Sequence, residues 1–555
     1  MKLAWFKKGT IYQIYPRSFN DSNDDGIGDL RGIIQKLDYL KQLEVDIIWL
    51  SPIFRSPNDD NGYDISDYCE IMPEFGTMED FDELLQKTHD KGMRLILDLV
   101  ANHCSDEHRW FEEAKKSKDN PYRDYFHWRK PALDGGPPNN WKSFFGGSAW
   151  EYDDKTEEYY LHLFTKKQPD LNWENPKVRE DIYNAMRFWL DKGVDGFRMD
   201  VIPLISKRPG YPDAPDVGFR KIIEDVYANG PRVHEYLKEM NKEVISQYDA
   251  FSLAEGVGIN DQQAALYINY DRKELDMLYH FDILECTIIN GKFEEETPFD
   301  LVNLKSIFKK WRDTTHNKGW IANAMGNHDF ARMVSRFGDD KKYWQESSKM
   351  LIMMLATQNG TLNIYQGDEI GMTNLILETI DEVRDVQSLN FYNQNLETKK
   401  YTEKLALKMI NKEGRDNART PVQWNDEINS GFSIKEPWIK VNSNYKEINV
   451  ENQDKDPDSI LNFYRNLLKI RKQYDVFVFG DFEEIEYDNQ NLYVYKKTLN
   501  EERILVILNF STNNESFRSP KPIYNAEILL NNYKNIQVDN DTILLNPYQG
   551  IILKL

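Results

Sequence analysis

Seven residues, Gly196-Phe197-Arg198-Met199-Asp200-Val201-Ile202, constrain this chain more than any others. They form a short apolar run interrupted by two charges. A strand buried on both faces reads as a near-continuous apolar run. Side chains two apart share a face, so Arg198 and Asp200 point the same way. Charges buried in such a run are costly unless they are paired or used. One explanation is a buried ion pair near a strand end. The same pattern recurs, which adds a second. Leu95-Ile96-Leu97-Asp98 runs on to Asn102-His103, and Phe251 to Ala254 ends in Glu255-Gly256. Ile321 to Met325 leads to Gly326-Asn327-His328-Asp329, and Thr361 to Gln366 leads to Gly367-Asp368-Glu369.

Helical patterns lie between these runs, for example over Arg179 to Lys192 and Met78 to Lys91. Strands alternating with helices predict a parallel sheet. Eight units, at Tyr12, Ile48, Leu97, Phe197, Leu253, Tyr279, Ala322 and Ile364, fit a (β/α)₈ TIM barrel, whose active site sits at the C-terminal ends of its strands. The long gap between His103 and Gly196 predicts an inserted small domain after strand three, rich in Trp, Tyr, Gly and Pro. Beyond Tyr474 short alternating strands (Leu492–Lys497, Ile504–Phe510, Ile543–Leu545, Ile551–Leu555) predict a C-terminal antiparallel β-domain. The expected layout is barrel over 1–103, insertion over 104–172, barrel again over 173–478 and β-domain over 479–555.

Composition narrows the partners. A net charge of −22 over 555 residues opposes nucleic-acid binding, which relies on clustered Lys and Arg. It suits a neutral ligand, and abundant aromatic rings can stack on sugar faces. Three cysteines give no disulfide framework and favour a reducing compartment. Met1 to Gly9 lacks the apolar segment of a signal peptide. No run reaches the ~18 apolar residues of a membrane span. A cytoplasmic protein is expected, free of nucleic acid and membrane, as a monomer or small homo-oligomer.

Near the first strand, Asp21, Asn23, Asp25 and Asp29 fall at relative positions 1, 3, 5 and 9, with Gly26 at 6. That spacing matches a calcium loop, with the Ile27 carbonyl as a further ligand. Gly32 stands where a bidentate Glu belongs. One structural Ca²⁺ is expected, Mg²⁺ being possible; otherwise the loop is a polar turn. At the barrel top, Asp200, Glu255 and Asp329 come from three strands. Acetal cleavage needs one carboxylate and one carboxylic acid flanking the bond. His103, His328 and Arg198 would donate to hydroxyls and orient the nucleophile. A metal site of the enolase or amidohydrolase kind would want clustered His and Asp, such as a His-x-His strand end, and none appears.

These residues make the chain similar to glycoside hydrolase family 13, the α-amylase family. Asp98 to His103, Gly196 to Asp200, the segment ending in Glu255, and Asn327-His328-Asp329 resemble its four regions in order. Gln168-Pro169-Asp170-Leu171-Asn172 and Gly414-Arg415 to Thr420-Pro421 resemble signatures of the oligo-1,6-glucosidase subfamily. The resemblance implies Asp200 as nucleophile, Glu255 as acid/base and Asp329 as transition-state stabiliser. It implies that Asp60, Tyr63 and Arg415 close the pocket around one glucose, that Phe145 and Phe164 form an apolar wall, and that Gln168 lies at the rim. It also implies calcium at the Asp21 loop. Val201 after the nucleophile goes with α-1,6 bonds in relatives.

The implied activity is a retaining, exo-acting α-glucosidase on isomaltose and short isomalto-oligosaccharides. The alternatives are an α-1,4-glucosidase, a sucrose-active hydrolase or isomerase, and a trehalose-6-phosphate hydrolase, for which Lys207 and Arg208 are the first phosphate candidates. An inactive transporter heavy-chain homologue would need a membrane segment and would lack the acidic triad. Three departures from relatives are expected near the leaving-group side: Gly256-Val257, Gly326, and Phe330-Ala331-Arg332.

Overall fold

The computed structural model describes residues 5–288, 293, 299–520, 523, 526–539 and 541–555. Eight parallel strands form its centre: β1 (Thr10–Ile14), β2 (Ile47–Leu50), β3 (Arg94–Val100), β4 (Gly196–Asp200), β5 (Phe251–Gly256), β6 (Met277–His280), β7 (Ala322–Asn323) and β8 (Thr361–Tyr365). Each expected strand centre falls inside one of them. Their order is β6-β5-β4-β3-β2-β1-β8-β7. A parallel bridge between Leu278 and Ile321 closes the ring. The fold is a (β/α)₈ barrel with a C-terminal antiparallel β-region.

Every residue of β4 and β5 is buried, as runs covered on both faces must be. The parallel register sets the site. Asp98 pairs with Arg198 across β3 and β4, and Val100 with Asp200. Ala254 pairs with Met199, so Glu255 stands level with Asp200. Glu255 pairs in turn with Tyr279 on β6. Gly196 is required at the start of β4: its φ is +148°, and a Cβ there would meet the Phe251 carbonyl oxygen at 2.1 Å.

The helix before β4 spans Pro176–Lys192, a turn earlier than its apolar pattern begins. Pro176 opens it behind the Asn175 cap, and Gly193 closes it in the left-handed region. The apolar stretch after the Asp21 loop forms two helices, Leu30–Gln35 and Leu37–Gln42. They part at Lys36, whose φ of −104° and ψ of 6° leave the helical region. Within 104–172 lies a small antiparallel sheet of Trp128–Arg129, Glu158–Leu161 and Trp150–Asp153. A bridge from His103 to Asp170 ties it to the end of β3. After the Ile460–Gln473 helix come a five-stranded and a three-stranded antiparallel sheet. No described helix is long and apolar enough to cross a membrane.

Candidate active site

Two arginines organise the barrel top. Arg198 is fully buried on β4. Its Nη1 donates to Asp98 Oδ1 and to Asp200 Oδ1, both at 2.7 Å. Its Nη2 reaches Glu255 Oε1 at 2.7 Å. One guanidinium thus holds three carboxylates from β3, β4 and β5. Charge-assisted bonds of this kind fix geometry as well as energy. Glu255 Oε2 accepts the Val201 main-chain N–H at 2.8 Å. Asp98 Oδ2 accepts from Trp49 at 3.2 Å and from Tyr63 at 3.0 Å.

The charges here do not balance. Burial pushes Asp200 well above the usual carboxylate range, against the pull of Arg198. Burial raises Asp98 to about 6. Desolvation thus opposes three ionised carboxyls around one cation.

Arg415 is the second hub. Its Nε donates to Asp385 Oδ1 at 2.6 Å, Nη2 to Asp60 Oδ1 at 3.1 Å, and Nη1 to Asp329 Oδ1 at 3.3 Å. Arg419 Nη2 also donates to Asp329 Oδ1, at 3.1 Å, and Arg419 Nε to the His328 carbonyl at 3.0 Å. Burial alone would raise Asp385, but Arg415 and Arg419 overcome it and hold its carboxyl at about 2. The Arg415 guanidinium lies 4.8 Å from the centroid of Phe145.

Tyr63 stacks on His328 with ring centroids 5.1 Å apart and planes 4° apart. His328 Nδ1 accepts from the Gln13 amide at 2.8 Å, which leaves Nε2–H facing Asp329 Oδ2 at 3.3 Å. Burial pushes His328 down to about 3 and His103 to about 4. Both rings are therefore neutral at pH 7. Phe164 packs on His103 at 4.8 Å and on Phe145 at 5.7 Å.

These groups line one cavity of about 910 Å³. Asp60, Tyr63, His103, Phe145, Phe164, Asp200, Val201, Glu255, His328, Asp329 and Arg415 all face it. Two expected substrate contacts do not. Arg198 lies fully buried beneath the carboxylates it holds. Gln168, expected at the rim, is also fully buried. It donates to Asp60 Oδ2 at 3.2 Å and lies 3.3 Å from His103 Nε2, so it braces the pocket from behind.

The opening carries an apolar cluster. Val201 and Val257 pack together, with Phe164, Ile223 and Phe281 against them. Val201 itself has φ +35°, a strained conformation for a β-branched residue. Gly256 follows from packing: a Cβ there would meet the Tyr279 carbonyl at 2.7 Å. Of the three departures, Gly256-Val257 and Phe330 line the cavity. Gly326 instead faces Asp368, 3.3 Å from where its Cβ would be. Arg332 turns inward to the Gln366 carbonyl at 2.6 Å.

The phosphate candidates are also engaged elsewhere. Lys207 is buried against Asp170 at 2.5 Å, Asn102 at 2.8 Å and the Leu204 carbonyl at 2.7 Å. Arg208 donates to the Asp225 carbonyl at 2.9 Å. In the Asp21 loop the carboxylates accept main-chain N–H groups: Asp21 from Asn23, Asp24 and Gly26, Asp25 from Ile27, and Asp29 from Gly32. Among the described residues, no three His, Cys, Asp or Glu side chains gather as a metal site.

Residues 13–480 match the family model of the alpha amylase catalytic domain, and 492–552 match that of the alpha-amylase SusG C-terminal domain. The chain is 50% identical over the whole length of both proteins to the oligo-1,6-glucosidase of Parageobacillus thermoglucosidasius. It resembles the solved trehalulose synthase of Pseudomonas mesoacidophila MX-45, at 44% identity and TM-score 0.96 over 99% of each chain. It also resembles a solved mutant trehalose-6-phosphate hydrolase from Bacillus licheniformis, at 45% identity and TM-score 0.94 over 99% of each chain.

Proposed function

The chain belongs to the α-amylase family, glycoside hydrolase family 13, and from that premise we propose that it acts as an oligo-1,6-glucosidase. It releases one glucose at a time from the non-reducing ends of isomaltose and short isomalto-oligosaccharides. The observation that carries this reading is the Arg415 hub. Asp60, Asp385 and Asp329 converge on one buried guanidinium, and Asp60, Asp329 and Arg415 end the pocket behind the terminal sugar, so a longer chain does not thread past.

Asp200 is the nucleophile. Its Oδ1 is held by Arg198, which leaves Oδ2 for C1 of the glucose. The C1–O bond breaks as Oδ2 bonds to C1, and Glu255 gives its proton to the departing sugar oxygen. Glu255, now a carboxylate, then takes a proton from water, whose oxygen attacks C1 as the C1–Oδ2 bond breaks, freeing the Asp200 carboxylate and releasing α-glucose. Asp329 and neutral His328 hold glucose hydroxyls as charge develops at C1. The opening sets the leaving group. Beside it stand Glu224, Asp282 and Glu285 with Arg220 and Lys142, and Arg220 is paired to Asp282 at 2.6 Å. That acidic balance disfavours a phosphorylated sugar.

NMR of the first product tests the reaction: α-glucose is expected, and β-glucose overturns it. A substrate panel tests the linkage. Isomaltose should exceed maltose, sucrose and trehalose-6-phosphate in kcat/KM, and another order refutes the assignment while sparing the fold.

We also propose a structural calcium, or magnesium, held by Asp21, Asn23, Asp25, the Ile27 carbonyl and Asp29. The oxygen spacing supports it, as do the positive φ values of Asp24 and Gly26 that curl the loop. Carboxylates that already accept main-chain N–H groups keep lone pairs for an ion. Chelation should lower Tm, and an unchanged Tm with no metal by analysis refutes the site. Three free thiols suit the cytoplasm, where we place the enzyme as a monomer or small homo-oligomer.

A further inference from the structure

Tyr279 plays no part in the reaction as derived above, yet its hydroxyl stands between Arg198 and Glu255. Arg198 Nη2 donates to it at 2.9 Å and Arg198 Nε at 3.2 Å. A guanidinium is only a donor, so the tyrosine oxygen must accept from it. The hydroxyl proton is then committed to Glu255 Oε1, 3.2 Å away. Tyr279 is fully enclosed, and burial holds its hydroxyl well above the ordinary phenol range. It stays a donor at every pH the enzyme meets.

Glu255 Oε1 therefore faces the Arg198 cation, in an ion pair with Nη2 at 2.7 Å, and accepts one hydrogen bond, from Tyr279. Both contacts oppose a proton on that oxygen. Among the described residues Oε2 accepts only the Val201 N–H and keeps one site open. The register that pairs Glu255 with Tyr279 on neighbouring strands builds this asymmetry into the barrel.

We propose that Tyr279 is a positioning residue that donates to Oε1 of Glu255 and so confines the transferable proton to Oε2, beside Val201 and the leaving sugar. This rests on Glu255 as the acid/base. In the forward step the proton leaves Oε2 for the glycosidic oxygen, and in the second step Oε2 takes a proton from water. Tyr279 neither gains nor loses a proton in either step. Without its hydroxyl, Oε1 loses that donor, and the proton divides between the two oxygens.

The test compares leaving groups by kcat/KM, which reports the first bond cleavage. Isomaltose needs the proton. α-Glucosyl fluoride does not, because fluoride is a weak base. Tyr279→Phe should lower kcat/KM for isomaltose by roughly 10²-fold, the lower end of what general acid catalysis supplies. For α-glucosyl fluoride the loss should be about fivefold or less, the cost of one ordinary hydrogen bond. Equal losses on both substrates would mean that Tyr279 only packs the cluster, and would overturn the proposal. Thermal melting of the variant separates misfolding from either outcome, since both ratios are taken on the folded fraction. Glu255→Gln is the control for the premise. If it too loses equally on both substrates, the acid/base assignment fails. If it is selective and Tyr279→Phe is not, only the present proposal fails.

Discussion

The floor of the pocket and its opening are built on opposite principles. In the floor, Arg198 and Arg415 each hold three carboxylates, and each cation is buried. At the opening, Val201, Val257, Phe281 and Phe330 present apolar surface. Removing one member of a buried ion cluster strands a charge and costs ~3–5 kcal/mol. Changing a methyl-sized group in an apolar wall costs only ~1–3 kcal/mol. The chemistry is thus fixed in the floor by interactions that resist change. The choice of leaving sugar sits where substitutions are cheap, which is how close relatives can share a barrel and differ in substrate.

The strongest test of this contrast is Asp200→Asn. It keeps a group for Arg198 to meet but removes the proposed nucleophile. Its kcat should fall by more than roughly 10⁴-fold with Tm little changed. A residual rate within tenfold of wild type would remove the floor from the chemistry altogether.

Arg415→Met comes next. It leaves Asp60, Asp329 and Asp385 without their common cation. From the ~3–5 kcal/mol scale of a broken buried cluster, kcat/KM should fall by roughly 10²- to 10³-fold. Phe281→Ala, at the opening, is the companion measurement and should stay within about tenfold. If the two cost the same, the floor and the opening do not differ as described.

The floor should also titrate. His328 is held at about 3, against ~6.5 unfolded. A depressed value means that its stabilising contribution is complete above about pH 6.5 and is lost as pH falls toward 3. Asp98, raised to about 6, works in the opposite sense, so the wild-type curve alone mixes the two. The histidine is isolated by difference. Between pH 6.5 and 4, His328→Gln should gain on wild type by up to about 3 kcal/mol in unfolding free energy. A difference that is flat with pH would mean that the ring is not held neutral.

Much of this floor is legible in the chain. A charge at the end of an apolar strand is a costly pattern, and five such ends meet at one barrel face. What stays hidden has a physical reason in each case. Asp385 caps the helix Val386–Thr398, which is a sufficient local role, and its bond to Arg415 is set only by the fold. Arg419 lies one turn from Arg415 but shows no sign that it points at Asp329. Tyr279 reads as core on β6, and Gln168, which the resemblance puts at the rim, shows no sign in the chain of its burial behind Asp60. In the C-terminal region, Asp481–Ile485, Glu515–Arg518 and Gln537–Asp539 are strands too polar to show an alternating pattern, and Glu527–Asn531 carries three apolar residues in a row without alternation. The strained turn at Val201 is also invisible, because β-branched residues rarely enter that conformation.

That strain makes Val201 the finest probe of the opening. Its φ of +35° aims its N–H at Glu255 and its side chain into the wall with Val257 and Phe164. Val201→Gly would relax the backbone and remove the wall together, which confounds the two. Val201→Thr keeps β-branching, so the strain stays equal and only a methyl becomes a hydroxyl. The maltose-to-isomaltose ratio of kcat/KM should then rise by roughly tenfold, the low end of what one pocket group supplies. Hydrolysis of α-glucosyl fluoride, which has no leaving sugar to contact the wall, should change little. A loss on all three substrates alike would place Val201 with the floor, as a support of Glu255, and would move the boundary between the two regions one residue outward.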